Sequence, residues 1–273
     1  MKTLRYEVTG RIARITLDRP ERGNGITRDM PRELIESVER ANLDPAVHVV
    51  ALAGEGKGFC GGYDLVEYAE TQPQNHDPSV PWDPVVDYQF MSRNVRGFMS
   101  LFHSDKPVVC KVHGFCVAGG TDMALCSDLL VIADDARIGY PPARVWGVPT
   151  TALWAHRIGD QRAKRLLFTG DLISGAQALE WGLATEAPPA SELDERFEAL
   201  VERISHLPVN QLVMMKLLVN QALYAQGLHA TQVLGTVFDG IARHTPEGYA
   251  FQARAAEAGF KQAVADRDAP FDS

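Results

Sequence analysis

Val112-His113-Gly114-Phe115-Cys116-Val117-Ala118-Gly119-Gly120-Thr121-Asp122 is the stretch on which the reading of this chain turns. An apolar run ends at a glycine pair, and a carboxylate follows two residues later. A strand that stops there and restarts as a helix leaves N–H groups unpaired at the helix start, with the helix dipole behind them. Such donors suit a developing oxyanion, and Asp122, near the start of the helix, can serve as acid or base on whatever they hold. Taken alone, the stretch reads more plainly as a tight strand-to-helix turn with an acidic first-turn residue.

A second turn of the same kind lies upstream. Gly58-Phe59-Cys60-Gly61-Gly62-Tyr63-Asp64-Leu65 follows the apolar run 47–53, which reads as a buried strand, and precedes a helix-compatible segment at 65–70. Two strand, Gly-Gly, helix transitions each offer an N–H at a strand's carboxyl end. Converging on one oxygen, they would form an oxyanion hole. Neither GxGxxG nor GxxxxGK[ST] occurs here, which removes the dinucleotide and nucleotide loops.

Outward from these turns, Leu4, Tyr6 and Val8 alternate with polar residues, as do Ala13, Ile15 and Leu17, with Gly10-Arg11 between them. That pattern predicts a hairpin. Met30, Leu34, Val38 and Ala41 recur at helical spacing. Runs at 47–53, 108–112 and 129–133 are the clearest strands, and strands alternate with helices to about residue 187. This alternation indicates an α/β protein with parallel-type units. From Ser191 the pattern is almost entirely helical, with Leu193, Phe197, Leu200 and Val201 at core spacing and Met214, Met215, Leu217, Leu218, Leu234, Val237 and Phe238 further on. Such helices, with little of their own chain to pack on, are expected to bury apolar surface against other subunits.

The blocks in order are Ile15-Thr16-Leu17-Asp18-Arg19-Pro20 with Asn24-Gly25-Ile26, the 58–65 turn, Lys106-Pro107-Val108-Val109 leading to His113-Gly114 and Gly119-Gly120, Ala136-Arg137-Ile138-Gly139, Thr169-Gly170-Asp171 with Ile173-Ser174 and Gly182-Leu183, and Phe260-Lys261 with the residues 267–271. Over nearly the whole chain this resembles the enoyl-CoA hydratase/isomerase (crotonase) superfamily. The resemblance implies a spiral of ββα units over residues 1–190 carrying an acyl-CoA site. It also implies a helical C-terminal module over 191–273 for oligomerisation, as a homotrimer or hexamer. It implies a coenzyme A thioester substrate, no permanently bound cofactor, and a carbonyl oxygen held by the Tyr63 and Gly119 N–H groups. Asp122 falls on the first of the family's two catalytic carboxylate positions, one methylene shorter than glutamate. Arg22, Gly61, Asp64, Leu65, Gly120, Pro141, Trp146 and Lys261 fall on substrate- or CoA-binding positions. In the family, a basic residue near the last of these reaches the CoA of a neighbouring subunit.

The second carboxylate is missing. It belongs in the segment 139–149, where Pro141-Pro142 replaces the family's Pro-Glu, and no Asp or Glu lies between Asp135 and Asp160. A positioned acid or base contributes about a hundred- to ten-thousandfold. Double-bond migration needs one proton-shuttling group, whereas efficient water addition asks for two. Tyr140 and Arg144 flank the gap and could substitute as a hydroxyl donor and a carboxylate clamp. The plainer expectation is that Tyr140 and Trp146 pack in the core and Arg144 makes structural ion pairs. The sequence therefore points to a hydratase-like lyase or double-bond isomerase using Asp122. The alternative is a non-catalytic acyl-CoA binding protein that kept the oxyanion hole and lost the chemistry.

A net charge of −8 argues against broad nucleic-acid binding. The basic candidates for a polyanionic CoA are Arg19, Arg22, Lys57 and Lys261. Cys60, Cys110, Cys116 and Cys126 form no C-x-x-C or zinc-type spacing, so no metal is expected. No apolar run approaches the ~18 residues of a membrane span and no signal segment is evident, which leads to the expectation of a cytoplasmic protein. The Pro-, Asn- and Gln-rich segment 70–87, with Trp82 between Pro81 and Pro84, is expected to form a lid or pocket wall.

Overall fold

The computed structural model describes residues 1–70 and 79–271, leaving aside the side chains of 69 and 70. Strands β1 (Leu4–Thr9) and β2 (Ile12–Leu17) pair antiparallel through the turn at Gly10-Arg11, in the register Leu4 with Leu17 and Thr9 with Ile12. β3 (Val49–Gly54), β4 (Val108–Val112) and β6 (Leu129–Ile132) add in parallel, giving the order β1-β2-β3-β4-β6. A smaller sheet has the order β5-β7-β8, from β5 (Phe115–Val117), β7 (Arg137–Gly139) and β8 (Leu172–Ser174). The chain steps from the larger sheet to the smaller one at β4 to β5 and again at β6 to β7, which is the expected α/β spiral of ββα units.

The helices follow local chemistry. α1 (Met30–Leu43) buries Met30, Leu34, Val38 and Ala41, the four positions its spacing marks. α2 (Pro84–His103) starts where Asp83 accepts the Val85 and Val86 N–H groups and Pro84 fits the first turn. α3 (Gly119–Ala124) is the short helix after the glycine pair. α4 (Trp154–Thr169) breaks at Gly159, where φ is +76°. α5 (Gly175–Glu180) opens with a capping box of Ser174 and Gln177.

Among the described residues the helices α6 (Leu193–Ser205), α7 (Val209–Ala225), α8 (Leu228–Arg243), α9 (Pro246–Ala258) and α10 (Phe260–Asp268) follow. α6 lies on β2, β3 and β6, burying Leu193, Phe197 and Val201. α7 is inverted. Its buried residue is Lys216, whose Nζ pairs with Asp128 at 2.8 Å and donates to the Leu101 and Lys106 carbonyls. Met214, Met215, Leu217, Leu218 and Val219 of the same helix face outward, as do Leu234, Phe238 and Ile241 of α8. α8 packs on α2, while α9 and α10 pack on one another. Phe251, Ala255 and Ala263 form with Trp146 and Phe260 a small apolar cluster apart from the main core.

The four cysteines are free and buried. Residues 71–78 of the segment expected as a lid lie outside the described residues. Its described end carries Trp82, which stacks on His244 with ring centroids 4.5 Å apart. Among the described residues no helix is long and apolar enough to cross a membrane.

Candidate active site

The two glycine turns meet. Ile26 N–H donates to the Gly62 carbonyl at 2.8 Å and Asp64 N–H to the Ile26 carbonyl at 2.9 Å, a parallel bridge that engages the peptide groups on either side of Tyr63. The Tyr63 N–H is thereby turned to the opposite edge, and it makes none of the backbone bonds that tie the turn. The Gly119 N–H, at the first position of α3, likewise makes none. A Cβ on Gly62 would lie 3.7 Å from the Gly119 nitrogen, so the two turns approach closely at this point. A Cβ on Gly119 would come within 2.8 Å of the Tyr63 ring, which explains why glycine is needed there.

Backbone strain marks the same place. Ala118, just before Gly119, has φ +53° and ψ −130°, and Asn24, Trp146 and Ala152 also have positive φ. A non-glycine residue held so costs about 1–3 kcal/mol, and the surroundings must enforce it. Asn24 is enforced by its own side chain, whose Nδ2 donates to the Glu55, Gly58 and Phe59 carbonyls at 2.8, 3.0 and 3.0 Å.

These turns open onto a cavity of about 330 Å³, within the range of small-molecule sites. Gly61, Tyr63, Leu65, Gly119, Tyr140, Pro141 and Trp146, all singled out in the sequence, line it. More of the wall comes from β5, the helical turn 66–70, α2 and the C-terminal helices, through Val117, Tyr68, Phe90, Met91, Asp239, Arg243, Phe251, Val264, Arg267 and Asp268. Trp146 packs between Phe251 and Phe260, with ring centroids 5.2 and 5.7 Å away. α9 and α10 thus close over their own chain's site.

Asp122 is buried and is not part of the cavity wall. Its Oδ1 accepts the Thr151 N–H at 3.1 Å and the Thr151 hydroxyl at 2.8 Å. Its Oδ2, like the Tyr63 hydroxyl, has no hydrogen-bond partner among the described residues. Burial pushes its pKa up to about 7, against the pull of the Thr151 bonds. Burial likewise raises the phenols of Tyr63 and Tyr140 well above their usual range. All four thiols are buried, and burial raises each of them.

Several expected site residues are placed elsewhere. Arg144 is structural: it donates to the Thr169 carbonyl at 3.0 Å, pairs with Asp268 at 3.0 Å, and stacks on Phe271 at 4.1 Å. Asp64 lies behind the turn, bridging Arg19 at 2.9 Å and Arg22 at 3.1 Å. Burial works against its charge, but Arg22 and Arg19 outweigh it and hold its pKa low. Gly120 is a packing glycine, since a Cβ there would lie 2.6 Å from the Cys60 carbonyl. Lys261 and Lys57 are exposed and off the cavity wall.

Sequence reasoning misses a charged cluster on the wall. Asp239 and Arg243, one turn apart on α8, form with Asp87 of α2 a buried ion cluster. Arg243 Nη2 donates to both Asp87 oxygens at 3.0 Å and lies 3.3 Å from Asp239 Oδ2. No group of His, Cys, Asp and Glu that could hold a metal ion occurs among the described residues.

The enoyl-CoA hydratase/isomerase family model matches residues 7–249. An enoyl-CoA hydratase crystal structure from Mycobacterium smegmatis is 63% identical with a TM-score of 0.95, over 99% of this chain and 94% of that one. Hydroxycinnamoyl-CoA hydratase-lyase of Pseudomonas fluorescens is 30% identical over 200 residues, 71% of this chain and 69% of its own. 1,2-Epoxyphenylacetyl-CoA isomerase of Escherichia coli (strain K12) is 29% identical over 214 residues, 76% and 78% of the two chains. On the family match over most of its length and this structural likeness, the chain belongs to the enoyl-CoA hydratase/isomerase family.

Proposed function

We propose that the protein is an acyl-CoA enzyme that polarises a thioester carbonyl between the Tyr63 and Gly119 N–H groups and moves a proton with Asp122. The observation that carries this is the pair of backbone donors without backbone acceptors on the wall of a largely apolar cavity. Negative charge grows on the thioester oxygen as the acyl chain turns enolate-like, and one such donor is worth about a hundred- to thousandfold in rate. A carboxyl that titrates near neutrality suits a group that must both give and take a proton. Relatives named as hydratase-lyase and as isomerase fit an oxyanion hole serving either chemistry.

The outward apolar faces of α7 and α8 favour a homo-oligomer, in which the exposed Met214, Leu217, Leu218 and Phe238 would be covered by other copies. A trimer or hexamer is the expected state, and light scattering on the purified protein tests it; a monodisperse monomer contradicts it.

The test of the activity is a panel of enoyl-, dienoyl- and carboxyacyl-CoA thioesters given to the wild type and to Asp122→Asn, with products read by mass. Turnover by the wild type that falls at least a hundredfold in the variant, at unchanged CoA affinity, supports the enzyme. CoA binding without turnover of any thioester replaces it with a binding protein.

A further inference from the structure

The segment that lacks the family's second carboxylate holds one in space. Asp239 Oδ1 accepts the N–H of Val148, inside that segment, at 3.2 Å. The residue arrives on α8, and two glycines let the helix come close enough. A Cβ on Gly235 would lie 2.8 Å from the Pro149 carbonyl, and one on Gly240 2.2 Å from Asp87 Oδ2. Asp239 therefore stands on the cavity wall with Tyr63 and Tyr140, the residue next to the Pro141-Pro142 gap.

The charge count sets Asp239 apart from a purely structural acid. Asp87, Asp239 and Arg243 hold two carboxylates against one guanidinium, and Arg243 makes both of its short contacts to Asp87. Asp239 is the surplus acid, and it is the one facing the cavity. Burial raises its pKa, with Asp87 adding to the rise, while Arg243 and the Val148 N–H oppose it. Asp122 is raised chiefly by burial, and the charge of Asp239 adds to that rise.

We propose that Asp239 is the second catalytic carboxylate of this site, so that with Asp122 it adds water across an enoyl-CoA double bond. This rests on the acyl-CoA reading above. Ionised Asp239 takes a proton from water as the water oxygen bonds to Cβ. The C=C π pair moves toward Cα, and charge gathers on the thioester oxygen held by Tyr63 and Gly119. Neutral Asp122 then gives its proton to Cα. One water is added across the double bond, nothing is oxidised or reduced, and the carboxylates exchange their proton with solvent to reset.

Asp239→Asn, which keeps an oxygen for the Val148 N–H, is compared with the wild type and Asp239→Glu in two assays. One is hydration of short-chain enoyl-CoA, read as a product one water heavier. The other is exchange of the α-hydrogens of a saturated acyl-CoA in deuterated water, which needs the oxyanion hole and one base. The proposal expects Asp239→Asn to lose hydration by about a hundred- to ten-thousandfold in kcat while retaining exchange and thermal midpoint, with partial recovery in Asp239→Glu. Unchanged hydration in Asp239→Asn overturns the proposal, and so does an equal loss of both activities, which marks a structural residue. Wild-type exchange without hydration of any enoyl-CoA overturns water addition while leaving the thioester reading intact. Neither activity in the wild type overturns both.

Discussion

Asp122, buried behind the cavity wall, and Asp239, on that wall, are held by opposite kinds of structure. Asp122 stands in the first turn of the six-residue helix α3, fixed by the strained Ala118, the glycine pair and two hydrogen bonds from Thr151. Asp239 stands one turn before the end of the sixteen-residue α8, fixed by an ion cluster to α2 and by glycines that let helices approach. The first is positioned by its sequence neighbours and the second by residues that are far away in sequence. A local site survives changes elsewhere in the chain, whereas an assembled one depends on how the C-terminal helices dock.

Breaking the assembled half should have the largest effect. Arg243→Met leaves Asp87 and Asp239 buried without their cation, and losing one partner of a buried pair costs about 3–5 kcal/mol. Chemical denaturation should show that loss, and a change below about 1 kcal/mol would mean that the cluster is not the anchor of α8. On the local half, Thr151→Val removes the hydroxyl that stabilises ionised Asp122. A hydrogen bond to a charged group is worth about 1.5–3 kcal/mol, so the ionisation of Asp122 should move up by about 1–2 pH units. The pH profile of turnover should follow it to the alkaline side, and an unmoved profile separates Asp122 from the chemistry.

The same burial predicts a stability signature. The Asp122 carboxyl titrates near 7 in the fold, against about 4 in an unfolded chain. Its contribution is therefore fully present below about pH 4 and is lost as pH rises through about 7. Asp122→Asn, neutral throughout, should gain in melting temperature relative to wild type between about pH 5 and about pH 8. A difference constant across that window contradicts the raised pKa. The smallest effect belongs to Lys261→Ala. The residue is exposed and off the cavity wall within its own chain, so turnover should change little. A large rise in KM would place it at a neighbouring copy's CoA.

What was legible in the sequence follows the same division. Both glycine turns, the hairpin and the α1 core face could be read, because strand alternation, helical spacing and Gly-Gly steps are local signals. Arg144 and Lys261 were harder to assign: a basic residue near a motif looks the same whether it meets a ligand or, like Arg144, meets Asp268 and Phe271. Asp239 gives no local signal of its own, because Leu234, Val237 and Phe238 read as an amphipathic helix with an ordinary polar face. The available signal was Gly235 and Gly240 within that helix, flanking an acid four residues before an arginine. α7 reads as a core helix by its apolar residues, yet it buries Lys216 and turns those residues outward.

The central claim is that a thioester oxygen sits between the Tyr63 and Gly119 N–H groups. An infrared difference spectrum of a saturated acyl-CoA labelled with carbon-13 at the thioester carbonyl, free and bound, tests it directly. Two converging donors predict a bound carbonyl stretch clearly lowered from its value in water. A bound carbonyl that vibrates as in solution or higher would contradict the oxyanion hole.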